Sequence, residues 1–155
     1  MKRVEQTYVQ VTPTVQAAAY AAGDLIGGKM TFLNALSQDC YTAELRGVLV
    51  IDKAVQDKDY NLVIFGDDPT GTTFTENAAF DIADTDLSKI LTVVNVATLT
   101  AFADNGLSQV TEIARPLMSL ASTRSRNLYG ALVSVADPTF ASTSDLIIRL
   151  YLIQD

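Results

Sequence analysis

The sequence contains no histidine, no tryptophan and only one cysteine in its 155 residues. Histidine is the side chain that most often moves protons at neutral pH, and it is the commonest metal ligand. Its absence excludes most catalytic triads, most zinc sites and most general-base mechanisms. A single cysteine cannot form a disulfide within the chain. Because no histidine is present to activate it, we expect Cys40 to be a structural thiol and not a nucleophile.

Charge is scarce and mostly negative. Charged residues make up 19% of the chain and hydrophobic residues 48%, and the formal net charge is −7. An acidic chain repels phosphate backbones, so we expect no nucleic-acid partner. The only basic clusters are Lys2–Arg3 and Arg124–Ser125–Arg126, and both are small. A chain this poor in charge often uses its surface for contacts with other subunits.

Long apolar runs are also missing. No stretch approaches the length of about 18 apolar residues that a membrane-spanning helix needs. The N-terminus, MKRVEQTYVQVTP, has no apolar run of signal-peptide length. We therefore expect no membrane partner, and a protein that stays in the cytosol or leaves it as part of an assembled particle. The length suits a single domain.

The residues that are present predict a chain of β-strands. Val4–Val11 alternates imperfectly and is typical of an edge strand or an extended arm. The Ala-rich stretch Val15–Ala22 has no amphipathic stripe and is followed by several glycines, so we expect it to be extended and not helical. The other predicted strands are Lys29–Asn34, Glu44–Lys53, Tyr60–Phe65, Leu91–Thr98, Asn127–Val135 and Asp145–Ile153.

The connections between the strands also carry predictions. Glu44–Lys53 and Tyr60–Phe65 are expected to form a hairpin, and Arg115–Arg126 is expected to be a surface loop. One or two helical turns are predicted from Asp84, capped by Asp84 or Thr85. The total of about eight strands with regularly spaced turns indicates an all-β, antiparallel β-sandwich or jelly roll. We divide the chain into an N-terminal arm, residues 1–12, and one sandwich domain, residues 13–155.

Two kinds of motif in the sequence could in principle form a phosphate-binding, metal-binding or catalytic site. Gly23–Met30 matches the first seven positions of a phosphate-binding loop, but Met30 replaces the hydroxyl residue that holds Mg²⁺. A bend permitted by glycine is the better interpretation. The carboxylate pairs Asp67–Asp68 and Asp84/Asp86 lack the pattern of a calcium loop, and structural roles are favoured. The sequence thus predicts no catalytic residue, no metal site and no cofactor.

Several short segments, in this order and spacing, resemble a family of small structural proteins of tailed bacteriophages. The resemblance runs from about residue 12 to the C-terminus, and it excludes residues 1–11 and most of Thr98–Arg126. It depends on the whole set, because no single segment is very specific. The segments are Pro13–Val15, Ala22–Asp24, Gly27–Lys29, Phe32, Val48–Val50, Asp52–Lys53, Leu62–Phe65, Pro69, Thr72–Thr75, Asn77–Ala78, Phe80, Ile82–Asp84, Leu87, Ile90, Leu128–Val133, Pro138–Phe140, Asp145–Leu146 and Arg149–Leu150.

The resemblance implies a non-enzymatic β-sandwich protein of the capsid decoration, or cement, type. Such a protein binds the outside of the major capsid protein shell, commonly as a homotrimer, and braces it against the pressure of packaged DNA. The implied location is the capsid exterior of a virion assembled in the bacterial cytoplasm. The alternative is a tail, neck or fibre component of the same particle that could bind a host surface or carbohydrate. An enzyme would have to use Asp84 or Asp86, and this is the least favoured interpretation.

Contacts with the shell or with a sister subunit are expected from the N-terminal arm, from the small-residue segment after it and from the basic pair in the predicted loop. The candidate contact residues are Lys2, Arg3, Val4, Tyr8, Val9, Val15, Tyr20, Arg124 and Arg126.

Overall fold

The computed structural model describes residues 4–56, 58–97 and 99–154, and these residues form an all-β protein with one short 3-10 helix. The helix spans Asp84–Lys89. The strands are β1 (Glu5–Val11), β2 (Leu25–Phe32), β3 (Thr42–Asp52), β4 (Tyr60–Phe65), β5 (Ile90–Val96), β6 (Leu99–Ala101), β7 (Gly106–Met118), β8 (Leu128–Ser134) and β9 (Leu146–Gln154).

The strands form two antiparallel sheets. The five-stranded sheet has the order β1-β9-β3-β7-β6, and the four-stranded sheet has the order β2-β8-β4-β5. Without the three-residue β6, the two orders are those of an eight-stranded jelly roll, in which each sheet takes strands alternately from both halves of the chain. The prediction of an antiparallel sandwich of jelly-roll type is therefore confirmed.

The main core lies between the two sheets. In β9, Leu146, Ile148, Leu150 and Leu152 point into this core and alternate with residues that face outward, as the sequence predicts. β3 lies between β9 and β7, and in its continuous apolar run Val48 and Val50 point into the core while Leu49 and Ile51 face outward. The largest side chains buried between the sheets include Tyr60, Phe32, Phe140 and Met30.

The predicted hairpin of β3 and β4 is wrong. β3 pairs with β7 and β9, whereas β4 pairs with β5 and β8 in the other sheet. The chain therefore crosses from one sheet to the other between Asp52 and Tyr60. A turn between two apolar runs has the same appearance in sequence whether the second strand pairs with the first or packs against it.

The predicted loop Arg115–Arg126 begins too early, because β7 continues to Met118. Pro116 is tolerated in this strand because β6 pairs only with Gly106–Ser108, so that β7 is the edge of the sheet at the proline. The 3-10 helix forms where it is expected. Its capping was predicted wrongly, since Ala83 occupies the N-cap position and no side chain caps it.

Gly27 and Gly28 lie inside β2 at an irregularity in its pairing with β8, between Ile26 and Met30. Both glycines have positive φ, +76° and +66°. The segment that partly matches a phosphate-binding loop is thus a glycine bulge in a strand, as the sequence predicts.

Of the two interpretations of Val4–Val11, the structure has the edge strand. β1 pairs with β9 along its whole length, from Glu5 opposite Gln154 to Val11 opposite Ile148. The boundary between an arm and a domain at residue 12 stays a prediction. The stretch Val15–Ala22 is irregular and contains no helix, and only Ala19 makes a β-bridge, with Thr139.

Candidate functional site

The outer face of the four-stranded sheet is closed by the protein's own chain. Residues 66–89, which we call the cover segment, run between β4 and β5 and lie over this face. Beneath them, a second apolar cluster buries Leu25, Val63, Phe65 and Ala131. The cover segment contributes Phe74, Phe80 and Ile82, which pack against that cluster. This side of the sandwich therefore presents mainly a loop surface, and the edge strand β5 stays partly exposed at Val93.

A buried carboxylate fixes the cover segment. Asp86 is 1% exposed. Its Oδ2 accepts hydrogen bonds from the Thr72 backbone N–H at 2.7 Å and from the Thr72 hydroxyl at 2.8 Å. Its Oδ1 lies 2.8 Å from the Lys89 ammonium. Hydrogen bonding from Lys89, followed by that from Thr72, holds the pKa of the Asp86 carboxyl below its usual range.

Two further contacts tie the cover segment to the sandwich. Lys29 of β2 forms an ion pair with Asp68 at 2.6 Å, and its ammonium lies 5.9 Å from the ring centre of Phe74. On the other side, the Tyr20 hydroxyl donates a hydrogen bond to Glu76. Burial of Tyr20, followed by this bond to Glu76, raises the pKa of its hydroxyl well above the usual value. The carboxylates Asp68, Glu76 and Asp86 therefore act as structural anchors.

The outer face of the five-stranded sheet is different, because no residue of it belongs to either buried apolar cluster. We call this surface the open face. The register places its residues in rows across β1, β9, β3 and β7, so that Tyr8 lies beside Tyr151, and Gln10 beside Arg149. The open face consists of Tyr8, Gln10, Gly47, Leu49, Ile51, Leu107, Gln109, Thr111, Ile147, Arg149 and Tyr151.

Arg149 is held in one orientation near the centre of the open face. Its guanidinium lies 4.7 Å from the ring centre of Tyr8. Two of its nitrogens donate to Gln10 Oε1, Nη2 at 2.8 Å and Nε at 3.2 Å, and Nη1 lies 3.4 Å from the Tyr151 hydroxyl. All these partners are neutral. In residues 4–56, 58–97 and 99–154, the four ion pairs involve other cations, so that the charge of Arg149 has no carboxylate beside it.

The open face is apolar around this cation. Tyr8 is 56% exposed and Tyr151 38% exposed, and Ile51, Leu107 and Ile147 are half-buried. At one end, a groove of about 350 Å³ lies between β3, β7 and β9, lined in part by Pro116, Met118 and Ile153. Exposed aromatic and apolar residues around an arginine are typical of the centre of a protein–protein interface.

The structure places the candidate contact residues that the sequence predicts in different parts of the molecule. Val4 is exposed, and Tyr8 lies on the open face. Val9 points inward and packs against the main core. Arg124 is exposed in the loop after β7, outside the rows that form the open face, and its guanidinium lies 5.9 Å from the ring centre of Tyr41. Lys2 and Arg3 lie outside the described residues.

Three of these candidates have structural roles instead. Val15 and Tyr20 belong to the main core, at 1% and 3% exposure, so neither side chain can contact another protein while the fold is closed. This corrects the prediction for both. Small residues surround both side chains, but they do not leave them exposed. The stretch Val15–Ala22 is held against the sandwich by the β-bridge between Ala19 and Thr139, and against the cover segment by the hydrogen bond from Tyr20 to Glu76. Arg126 donates from Nε to the Leu36 carbonyl at 3.0 Å and so fixes a loop.

Sequence reasoning missed Arg149 and Tyr151 as parts of a site. Their outward orientation could be inferred from the alternation in β9. Their neighbours could not, because the pairing of β9 with β1 and β3 brings them beside residues that are 100 or more positions away in the sequence.

Asp52 is a second buried carboxylate, at the end of β3. It accepts hydrogen bonds from the backbone N–H groups of Ala54 and Gln56, both at 2.8 Å. Burial is the largest effect on its pKa, and the neighbouring Asp145 acts in the same direction, so the pKa of Asp52 is raised despite these donors. Tyr60 is the other titratable group beside it, and burial also raises the pKa of that hydroxyl.

This shift predicts how stability depends on pH. A carboxyl whose pKa is raised on folding stabilises the folded state at pH values below its unfolded pKa of 3.8, and this contribution is lost as the pH rises through the folded pKa. We therefore expect the difference in Tm between the wild type and Asp52→Asn to favour the wild type most at the acidic end. Thermal melts of both proteins from about pH 3.5 to 7 test this. A difference that grows in favour of the wild type with rising pH would contradict it.

In the described part of the chain, no three Asp, Glu or Cys side chains lie close enough together to hold a metal ion. Its helical content also includes no segment with the length and apolar character needed to cross a membrane.

Comparison with known proteins gives structural neighbours only. No family model matches the chain, and no curated protein matches it. A structure of turnip yellow mosaic virus aligns at 10% identity with a TM-score of 0.32, over 97% of this chain and 91% of that one. A second, of the same virus at 100 K, aligns at 11% identity with a TM-score of 0.29, over 98% and 93%.

A third neighbour is a chain of the T13 IBDV viral particle, at 11% identity with a TM-score of 0.28. It covers 98% of this chain and 39% of that one. All three TM-scores are low, and the fold assignment therefore depends on the strand order and register described above.

Proposed function

We propose that this chain is a non-enzymatic structural protein of a virus particle, of the decoration type, bound to the outside of the capsid shell. The observation that carries the proposal is the difference between the two sides of the sandwich. One outer sheet face is largely covered by the cover segment, and the other is left open with exposed aromatic and apolar side chains around Arg149. A one-sided surface of this kind suits a protein that lies flat on a larger assembly.

The jelly-roll strand order supports the proposal, since this architecture is used by viral capsid and lectin domains, among others. The resemblance of the sequence to small virion proteins of tailed bacteriophages supports the decoration type in particular. Neither the strand order nor the resemblance implies a catalysed reaction, and the carboxylates Asp68, Asp86 and Asp52 are engaged in structural contacts. The proposal therefore gives the chain a binding role.

The proposed partners are the major capsid protein and further copies of this chain, assembled as a homotrimer. The formal charge of −7 supports a position on the outside of the shell, because packaged DNA would repel an acidic protein on the inside. Nucleic acid and membranes are not among the proposed partners.

The test is to locate the protein on intact virions with a gold-labelled antibody, seen by electron microscopy. We expect label spread evenly over the heads. Virions from which the gene has been deleted are the control and should carry no label. Label confined to tails or necks would replace the decoration role with the attachment role that the sequence left as an alternative. Intact virions that contain the protein but bind no antibody would place it inside, and would overturn the proposal.

A further inference from the structure

We propose that the open face is the surface that binds the shell, and that its partner is a different protein that places a carboxylate against Arg149 within an apolar contact. This inference rests on the proposed function. It adds three points: the face that docks, the residue at the centre of the contact, and the chemical group that the partner presents.

The distribution of charge is the first step. The cover segment contains six acidic residues and one lysine, namely Asp67, Asp68, Glu76, Asp81, Asp84, Asp86 and Lys89. The open face, on the opposite side of the sandwich, contains one charged residue, Arg149, and the groove at its end adds Glu44, which lies opposite Ile153 and is paired with Arg46 at 2.6 Å. In a chain with a net charge of −7, the open face is therefore the surface on which a negatively charged partner meets a cation without an ion-pair partner, while the Glu44 carboxylate is already paired.

Arg149 is prepared to receive a carboxylate. Its contacts with Tyr8, Gln10 and Tyr151 hold the guanidinium in place, so that little side-chain entropy remains to be lost on binding. A guanidinium binds a carboxylate with two parallel hydrogen bonds, which a lysine cannot do. Tyrosine and arginine are also the residues that most often dominate binding energy at the centre of interfaces.

Two ways of placing a second copy of this chain on the open face are unfavourable. A twofold contact of one open face with another would bring Arg149, near the centre of the face, close to its own copy, and like charges would repel. A contact of the open face with the acidic cover segment of another copy joins opposite sides of the molecule. Repeated, it would give an open filament and not a closed oligomer. A different protein avoids both outcomes and leaves the cover segment facing solvent.

The test uses virions from which the gene has been deleted, to which recombinant protein is added back. Binding is measured by co-sedimentation over a range of protein concentrations. We expect Arg149→Glu to weaken binding about 30-fold or more, because loss of one partner from a desolvated charge pair has a large effect. Arg124→Glu makes the same change of charge in the loop after β7, outside the rows of the open face, and is expected to bind within about twofold of the wild type. The Tm of each variant shows that it is folded.

A second pair of variants tests the sign of the partner's charge without touching the contacts of Arg149. Gln109 is exposed on β7, two strands from Arg149 across Leu49. Gln109→Glu should weaken binding, and Gln109→Lys should leave it unchanged or strengthen it. Equal loss with both variants would show that the face docks to a partner without the proposed carboxylate, and would overturn the inference.

The remaining outcomes separate the two proposals. If the wild type binds and Arg149→Glu binds equally well, the open face is not the docking surface, and the proposed function stands without this inference. If only Arg124→Glu loses binding, the loop after β7 is the docking surface instead, which also overturns it. If the folded wild type does not bind these virions at all, both the proposed function and the inference are wrong.

Discussion

Replacing Gly27 with alanine is expected to destabilise the protein by about 2–5 kcal/mol. Two costs combine at this position. Gly27 has φ +76°, a conformation that costs an L-residue about 1–2 kcal/mol. In addition, an added Cβ would overlap with the Pro13 side chain, which packs directly against the glycine. Relief of the overlap requires the backbone of β2 or of residue 13 to move, at a typical cost of about 1–3 kcal/mol.

The neighbouring glycine provides a matched control. Gly28 has φ +66°, but a Cβ built there meets no atom within 4 Å. Gly28→Ala should therefore cost only the conformational term, about 1–2 kcal/mol. Urea unfolding of the wild type and both variants measures the difference. Equal losses in the two variants would contradict the packing term and show that the bulge adjusts to remove the overlap.

This pair also shows what the sequence could and could not predict. The composition of Gly23–Met30 was enough to exclude a phosphate site and to predict a bend, because Met30 cannot replace a hydroxyl. It could not show which glycine is essential, since that depends on the approach of Pro13, a residue outside the motif.

Strands were predictable where one side faces the core. β4 matches its predicted bounds, and β9 lies within one residue of them at each end, because both have a clear apolar pattern. β7 was missed over most of its length. Its pairing with β3 shifts register between Leu45 and Gly47, and Glu112 has φ +61° near this irregularity. The alternation of apolar and polar residues, which is the sequence signal for a strand, is lost there.

The candidate site was less predictable than the fold. Its residues come from four strands that are adjacent only in space, and no local pattern marks them. Tyr8 was identified for a different reason, its place in the N-terminal segment, and Arg149 only as part of an alternating strand. Which outer sheet face stays open depends on the cover segment, and its packing over Val63 and Phe65 follows from tertiary contacts that the sequence pattern does not specify.

Asp86→Ala is expected to detach the cover segment and to lower Tm by about 10 °C. The substitution removes the acceptor for both Thr72 donors and the ion-pair partner of the Lys89 ammonium, at a site that is 1% exposed. The Lys89 ammonium keeps its hydrogen bond to the Asp68 carbonyl, so the Thr72 donors are the groups left without a partner. Once the segment loosens, Val63 and Phe65 become accessible to solvent on a sheet face that is otherwise covered. Binding of the dye ANS and a tendency to aggregate should therefore increase together with the loss of stability.

Asp84→Ala is the control for this change, because it removes a carboxylate from the same 3-10 helix at an exposed position with no side-chain cap bond. Its Tm should stay within about 2 °C of the wild type, and its ANS binding should not change. The comparison is made by thermal melts and dye fluorescence at pH 7. If the two variants behave alike, the apolar contacts of Phe74, Phe80 and Ile82 hold the cover segment without Asp86. The buried carboxylate would then not be its anchor.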